Sequence, residues 1–194
     1  MSVEFYDDNA DSFIAQTASL DMQPLYQFFC GQLPNQASVL DAGCGSGRDA
    51  LAFSQMGFDV MAFDASRKMV EAARELTGLP VYQMTFEQMQ FDHRFDGIWA
   101  CASLLHVPRD QLSDVLVRIS SYLKQTGVLY ASFKYGEEER TKDGRYFNDL
   151  NDDLLGRYLQ AVPTLKLFQT WITTDRRPNR HDEKWLNCLI STNL

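Results

Sequence analysis

The sequence is short of cysteine, of positive charge and of long apolar runs, and each shortage removes a class of function. Its four cysteines, Cys30, Cys44, Cys101 and Cys188, stand far apart and form no C-x-x-C pair, which excludes a zinc knuckle and a thioredoxin-type redox motif. Each reads as a reduced, buried thiol. The histidines, His93, His106 and His181, lack the i, i+4 pairing of a helical metal site, so no metal is expected. No stretch approaches the roughly 20 apolar residues of a membrane span, and the segment MSVEFYDDNA lacks a basic run followed by an apolar one. A cytoplasmic protein with no membrane partner is the expectation. Eighteen Lys and Arg against 26 Asp and Glu give a net charge of −8, a field that repels phosphate backbones and anionic lipid. Nucleic acid is therefore not expected as a partner. Repeats, low-complexity tracts and Pro/Gly/Ser-rich linkers are also missing, so nothing divides the chain.

What is present is the composition of one folded domain: 194 residues, 45% hydrophobic and 12% aromatic. Residues 8–33 carry helical spacing in two pieces, Phe13, Ile14 and Ala18 in the first and Leu25, Phe28 and Phe29 in the second, with Asp21 as N-cap and Pro24 in the first turn. Segments then alternate. Strands are predicted at 38–42, 59–63, 80–84, 95–102 and 128–133, and helices at 48–56, stopped by Gly57, at 66–76, between Ser66 and Gly78, and from Pro108 to Leu123. Five βα units in series predict a doubly wound, mostly parallel α/β sheet with helices on both faces. A further helix over 151–161 precedes two strand-like runs, 164–174 and 184–192, joined by DRRPNRHDE. That joint is too short for a parallel crossover, so the last strand is expected to return antiparallel.

The most specific element is VLDAGCGSGRD, residues 39–49, where an apolar strand runs into alternating Gly43, Gly45 and Gly47 and then a helix. Such a loop lets backbone approach a ligand closely, beside a helix terminus with free N–H groups. Dinucleotide binding needs a small residue at the sixth position of G-x-G-x-x-G, where Arg48 stands here, and the phosphate loop G-x-x-x-x-G-K-[ST] is absent. The second strand ends at Asp64, 17 residues after Gly47, where folds of this type bind ribose hydroxyls with a carboxylate. The ligand is expected to hold a ribose and no pyrophosphate.

On these residues the sequence resembles the class I S-adenosylmethionine-dependent methyltransferases. The match is a strand ending D-x-G-x-G-x-G, here Asp41 to Gly47, an acid closing the second strand, here Asp64, and FDGIWACASLLHV, residues 95–107. The stretch CGSGRDALAFSQMGFDVMAFD is similar to small bacterial methyltransferases of the tellurite-resistance type. The resemblance implies a Rossmann-like seven-stranded sheet with an antiparallel last strand. It also implies S-adenosylmethionine as cofactor, S-adenosylhomocysteine as product, and a single domain acting as monomer or homodimer. That domain divides into a helical cap (1–33), a cofactor-binding core (38–134), a lid segment (134–150) and a terminal helix with a strand pair (151–194). Carried over residue by residue, Asp41, Gly43, Cys44, Gly45, Gly47, Arg48, Asp64 and Ala65 surround the sugar and amino-acid portions. Met84, Thr85 and Phe86 line the adenine slot, and Ala100 offers backbone to the methionine amino group. Thr85 stands where the family often has an acid, and a hydroxyl also accepts a hydrogen bond.

The acceptor is expected to be a small molecule entering at the carboxyl ends of the strands. The N-P-P-Y type signature of relatives that methylate a planar nitrogen is absent, which disfavours DNA adenine and glutamine as acceptors. Four segments converge at those strand ends and supply Tyr6, Phe13, Leu104, Arg145, Tyr146, Arg176 and Arg177 as acceptor-side and lid residues, with aromatic faces suited to a sulfonium charge. His106 is the acid or base candidate. Two other classes fit the residues less well: a noncatalytic module that binds the cofactor, and a nicotinamide oxidoreductase, against which Arg48 argues.

Overall fold

The computed structural model describes residues 2–177, 180 and 182–192. A seven-stranded sheet runs in the order β3-β2-β1-β4-β5-β9-β8. Its strands are β1 (Ser38–Ala42), β2 (Asp59–Asp64), β3 (Val81–Gln83), β4 (Phe95–Ala100), β5 (Leu123–Lys134), β8 (Lys166–Thr174) and β9 (Lys184–Ser191). Pairings among β1 to β5 are parallel, while β9 is antiparallel to both β5 and β8. Chain order reverses between β1 and β4, so a crevice opens beyond the carboxyl ends of those two strands. Helices α3 (Gln23–Cys30), α4 (Arg48–Gln55) and α5 (Arg67–Thr77) bury Phe29, Phe53 and Val70 against one face. Helices α6 (Leu112–Tyr122) and α7 (Asp152–Gln160) bury Leu116, Ile119 and Leu155 against the other.

Local signals place most boundaries. Ser66 caps α5 by accepting the Met69 amide at 3.2 Å, and Gly78 closes it at φ 66°. Five features differ from the sequence expectation. Three helices, not two, precede β1, because α1 (Ser2–Asp8) comes before α2 (Ala10–Thr17). The N-cap of α3 is Met22, although Asp21 still accepts the Gln23 amide. The connection 84–94 crosses from β3 to β4 without a helix, its Phe86 and Phe91 rings packing on Phe63 and Phe95 instead. Helix α6 opens at Leu112, because Leu104–His106 forms a separate 3₁₀ turn. The lid segment is a hairpin of β6 (Glu139–Lys142) and β7 (Arg145–Asn148). Asp143 and Gly144 supply the two left-handed residues of its turn, at φ 52° and 74°. In the DRRPNRHDE joint, Pro178, Asn179 and His181 lie outside the described residues.

Candidate functional site

A cavity of 880 Å³ lies beyond the carboxyl ends of β1, β2, β4 and β5, with α1, α2 and the β6–β7 hairpin contributing to its walls. The loop after β1 is shaped by its own amides: Gly43 and Cys44 both donate to the Phe63 carbonyl at 2.9 Å, and Gly45 donates to Asp64 Oδ2 at 2.9 Å. The three glycines do different work. A Cβ on Gly43 would stand 2.4 Å from Ser103 Cβ, and one on Gly47 would stand 2.9 Å from Thr77 Cγ2, so both are packing glycines. A Cβ on Gly45 would meet no protein atom within 4 Å.

Asp64 also accepts the Ser66 amide, through Oδ1 at 2.9 Å. Burial raises its pKa against the pull of these amides. Asp41 sits beneath the loop rather than on the cavity wall, buried, with Oδ2 unpartnered; burial pushes its carboxyl well above the ordinary range. Arg48 reaches the wall, but its guanidinium belongs to a network. Nε donates to Asp49 Oδ1 at 2.6 Å and one terminal nitrogen to the Thr17 carbonyl at 3.1 Å, while Tyr26 and Trp99 also donate to Asp49. Burial opposes charge on Asp49, yet Arg48 and these donors hold it below the usual carboxylate range.

Cys44, Ala65, Met84, Thr85 and Phe86 line the cavity. Gly47 and Ala100 do not: Gly47 faces α5, and Ala100 is buried under the floor, where Cys101 and Ala102 form the wall. Leu104 is fully buried in the core, since its 3₁₀ turn points it inward and leaves Leu105 and His106 at the cavity.

Also on the cavity wall, His106 Nδ1 lies 2.7 Å from the Tyr146 carbonyl and Nε2 lies 2.8 Å from the Tyr6 hydroxyl. A carbonyl only accepts, so Nδ1 carries the proton and Nε2 accepts from Tyr6. Burial, assisted by Arg145, pushes the imidazole pKa down to about 4. Tyr6 packs edge-on against Phe13 at 5.0 Å. Arg145 lies over the Phe5 ring at 4.3 Å and near Phe147 at 5.2 Å. Arg176 pairs loosely with Asp21 at 3.9 Å, and Arg177 donates to Asp175 Oδ2 at 2.6 Å.

Sequence reading missed the group at the end of β5. The Lys134 ammonium, almost fully buried, pairs with Asp175 at 2.9 Å and with Glu183, and sits 4.0 Å over the Trp185 ring. Its only sequence signal was a lysine closing an otherwise apolar strand.

Residues 39–127 match the family described as a methyltransferase domain. The chain is 29% identical over 138 residues to an uncharacterized methyltransferase of Staphylococcus carnosus (strain TM300), across 68% of this chain and 67% of that one. Other curated relatives are spanned over 26–47% of their length. Among solved structures, the fold is shared with the 1,6-didemethyltoxoflavin-N1-methyltransferase of Burkholderia thailandensis, which holds 1,6-didemethyltoxoflavin and S-adenosylhomocysteine. The TM-score is 0.79 at 22% identity, over 99% of this chain and 85% of that one. It is shared too with the magnesium protoporphyrin IX methyltransferase of Synechocystis PCC 6803, with bound S-adenosylmethionine: TM-score 0.64 at 19% identity, over 97% and 80%.

Proposed function

We propose that this chain, whose residues 39–127 match the family described as a methyltransferase domain, moves a methyl group from S-adenosylmethionine to a small-molecule acceptor. The observation that carries the reading is the junction of Gly45 and Asp64 on the cavity wall. There a backbone facing open space meets a carboxylate that keeps lone pairs after accepting two amides. Ribose hydroxyls donate to such a group, and a nucleoside fits a wall that an added Cβ would fill. Met84, Thr85 and Phe86 stand beside it for the adenine. The cavity volume lies near the top of the roughly 300–1,000 Å³ of small-molecule sites, which suits two ligands side by side. Residues at the cap and strand pair therefore belong to the acceptor half.

S-adenosylmethionine, when bound, supplies an electrophilic methyl group on a sulfonium. The chain's part is to align the acceptor and exclude water. Because His106 Nε2 is engaged by Tyr6, a proton leaving an acceptor reaches the imidazole only through Tyr6 Oη, and an imidazole whose pKa is pushed down to about 4 is a weak terminus for that relay, so the pair chiefly orients the acceptor by hydrogen bonding. Soft nucleophiles need no such relay.

Titration calorimetry with S-adenosylhomocysteine, followed by methyl-transfer assays over thiol, carboxylate, phenol and amine acceptors, tests the reading. Saturable binding together with turnover of one acceptor class is expected. Absence of binding to the wild-type protein removes the proposal.

A further inference from the structure

Six guanidinium groups line the cavity among the described residues, and five are paired: Arg48 with Asp49, Arg140 with Asp149, Arg176 with Asp21, Arg177 with Asp175 and Arg180 with Glu183. The sixth, Arg145, has no carboxylate within ion-pair distance among the described residues, and its Nε is buried with no hydrogen-bond partner. An unpaired, partly desolvated cation is costly, and a bidentate anion is what relieves it. The rings packed around it carry no charge of their own. His106 is neutral, Tyr6 keeps its proton because burial raises its pKa, and Phe5 and Phe147 present ring faces to the guanidinium.

The wider cavity agrees. Among the described residues nine cationic side chains line it against eight carboxylates, in a chain whose net charge is −8. The surplus is a single positive charge. We propose that the acceptor is an aryl carboxylate whose carboxylate pairs with Arg145. This rests on the preceding reading of the cavity as a methyl-transfer site. One negative charge matches the one unpaired guanidinium, whereas a dianionic phosphate would leave a charge unmatched near Asp143 and Asp149. The ring body is accommodated by the Tyr6, Phe13, Tyr146 and Phe147 side chains, all on the cavity wall. Arg177 and Arg176 do not share this role, because their charges are already met within the chain.

The test uses matched probes on protein saturated with S-adenosylhomocysteine: benzoate against its neutral near-isostere benzamide, with phenyl phosphate as the dianionic comparison. Calorimetry is expected to show benzoate binding at least tenfold tighter than benzamide and tighter than phenyl phosphate. In Arg145→Gln the benzoate preference should fall to within about twofold, with S-adenosylhomocysteine affinity unchanged. Arg145→Lys, which keeps the charge and loses the planar fork, should retain part of the preference. Equal binding of benzoate and benzamide to wild type, a preference that survives Arg145→Gln, tighter phenyl phosphate, or no detectable benzoate binding would each overturn the assignment while leaving the cofactor site standing. If S-adenosylhomocysteine does not bind wild type, the methyl-transfer reading itself fails, and this inference with it.

Discussion

The Gly45 amide donates to Asp64 Oδ2 at 2.9 Å across 19 residues of chain, so the loop leaving β1 and the acid ending β2 form one rigid wall. Neither residue can be altered without touching the other's geometry, yet their substitutions have separable effects.

Asp64→Ala removes a charge-assisted acceptor from the cavity wall. Affinity for S-adenosylhomocysteine should fall by about 1.5 to 3 kcal/mol, with the circular dichroism spectrum unchanged. Calorimetric affinities that agree within twofold between wild type and variant would remove Asp64 from the site.

The glycines of the loop should separate binding from stability. Gly45→Ala places a methyl group where no protein atom lies within 4 Å, at a left-handed strain cost of about 1 kcal/mol. It should lose at least tenfold in S-adenosylhomocysteine affinity while remaining folded. Gly43→Ala drives a Cβ against Ser103, whose hydroxyl donates to the Ala42 carbonyl, and should cost about 2 kcal/mol of stability through overpacking. Urea unfolding of both variants, beside their affinities, checks the contrast.

Asp175 holds Lys134 and Arg177 together. Asp175→Asn leaves Arg177 without its carboxylate and Lys134 with Glu183 alone, a loss of about 3 kcal/mol for a broken buried pair. Burial works to raise the Asp175 pKa, but hydrogen bonds from Arg177 and Lys134 hold it well below the ordinary 3.8. Its stabilising contribution is thus complete above that value and fades as pH falls through the folded-state pKa. The gap in thermal midpoint between wild type and variant should therefore narrow below about pH 4.

His106 has a linkage of the same sign in a higher pH window. Its folded pKa is about 4 against 6.5 for a free imidazole, so the unfolded chain takes up a proton first on acidification. Stability should decline from pH 6.5 toward pH 4 and level off below. His106→Gln, which does not titrate, should flatten that segment of a urea-midpoint profile. An unchanged slope would mean that His106 is not held neutral.

How much of this was legible in the sequence follows from the range of the interactions involved. Signals that act over a few residues were read correctly: the βα alternation from β1 to β2, Ser66 and Gly78 at the ends of α5, and the glycine loop followed by Asp64. The hairpin was missed, although Lys142-Asp143-Gly144-Arg145 contains the dipeptide that favours a two-residue turn, because the polar composition of 134–147 masked its strands. Helix α1 offered no fully buried residue to mark a periodic face. Only the tertiary structure decided which loop glycine has open space where a Cβ would stand, because that depends on Ser103 and Thr77, each on another element. The same holds for charge. Arg145 and Arg177 look alike in one dimension, each with an aspartate two residues before it, and only the fold brings Asp175 onto Arg177 while Asp143 makes no ion pair with Arg145 among the described residues. Tyr6 and His106 are 100 residues apart and Lys134 and Asp175 are 41 apart. Hydrogen-bond periodicity is written locally along the chain, whereas the partner of a buried charge is set by which strands the sheet brings together.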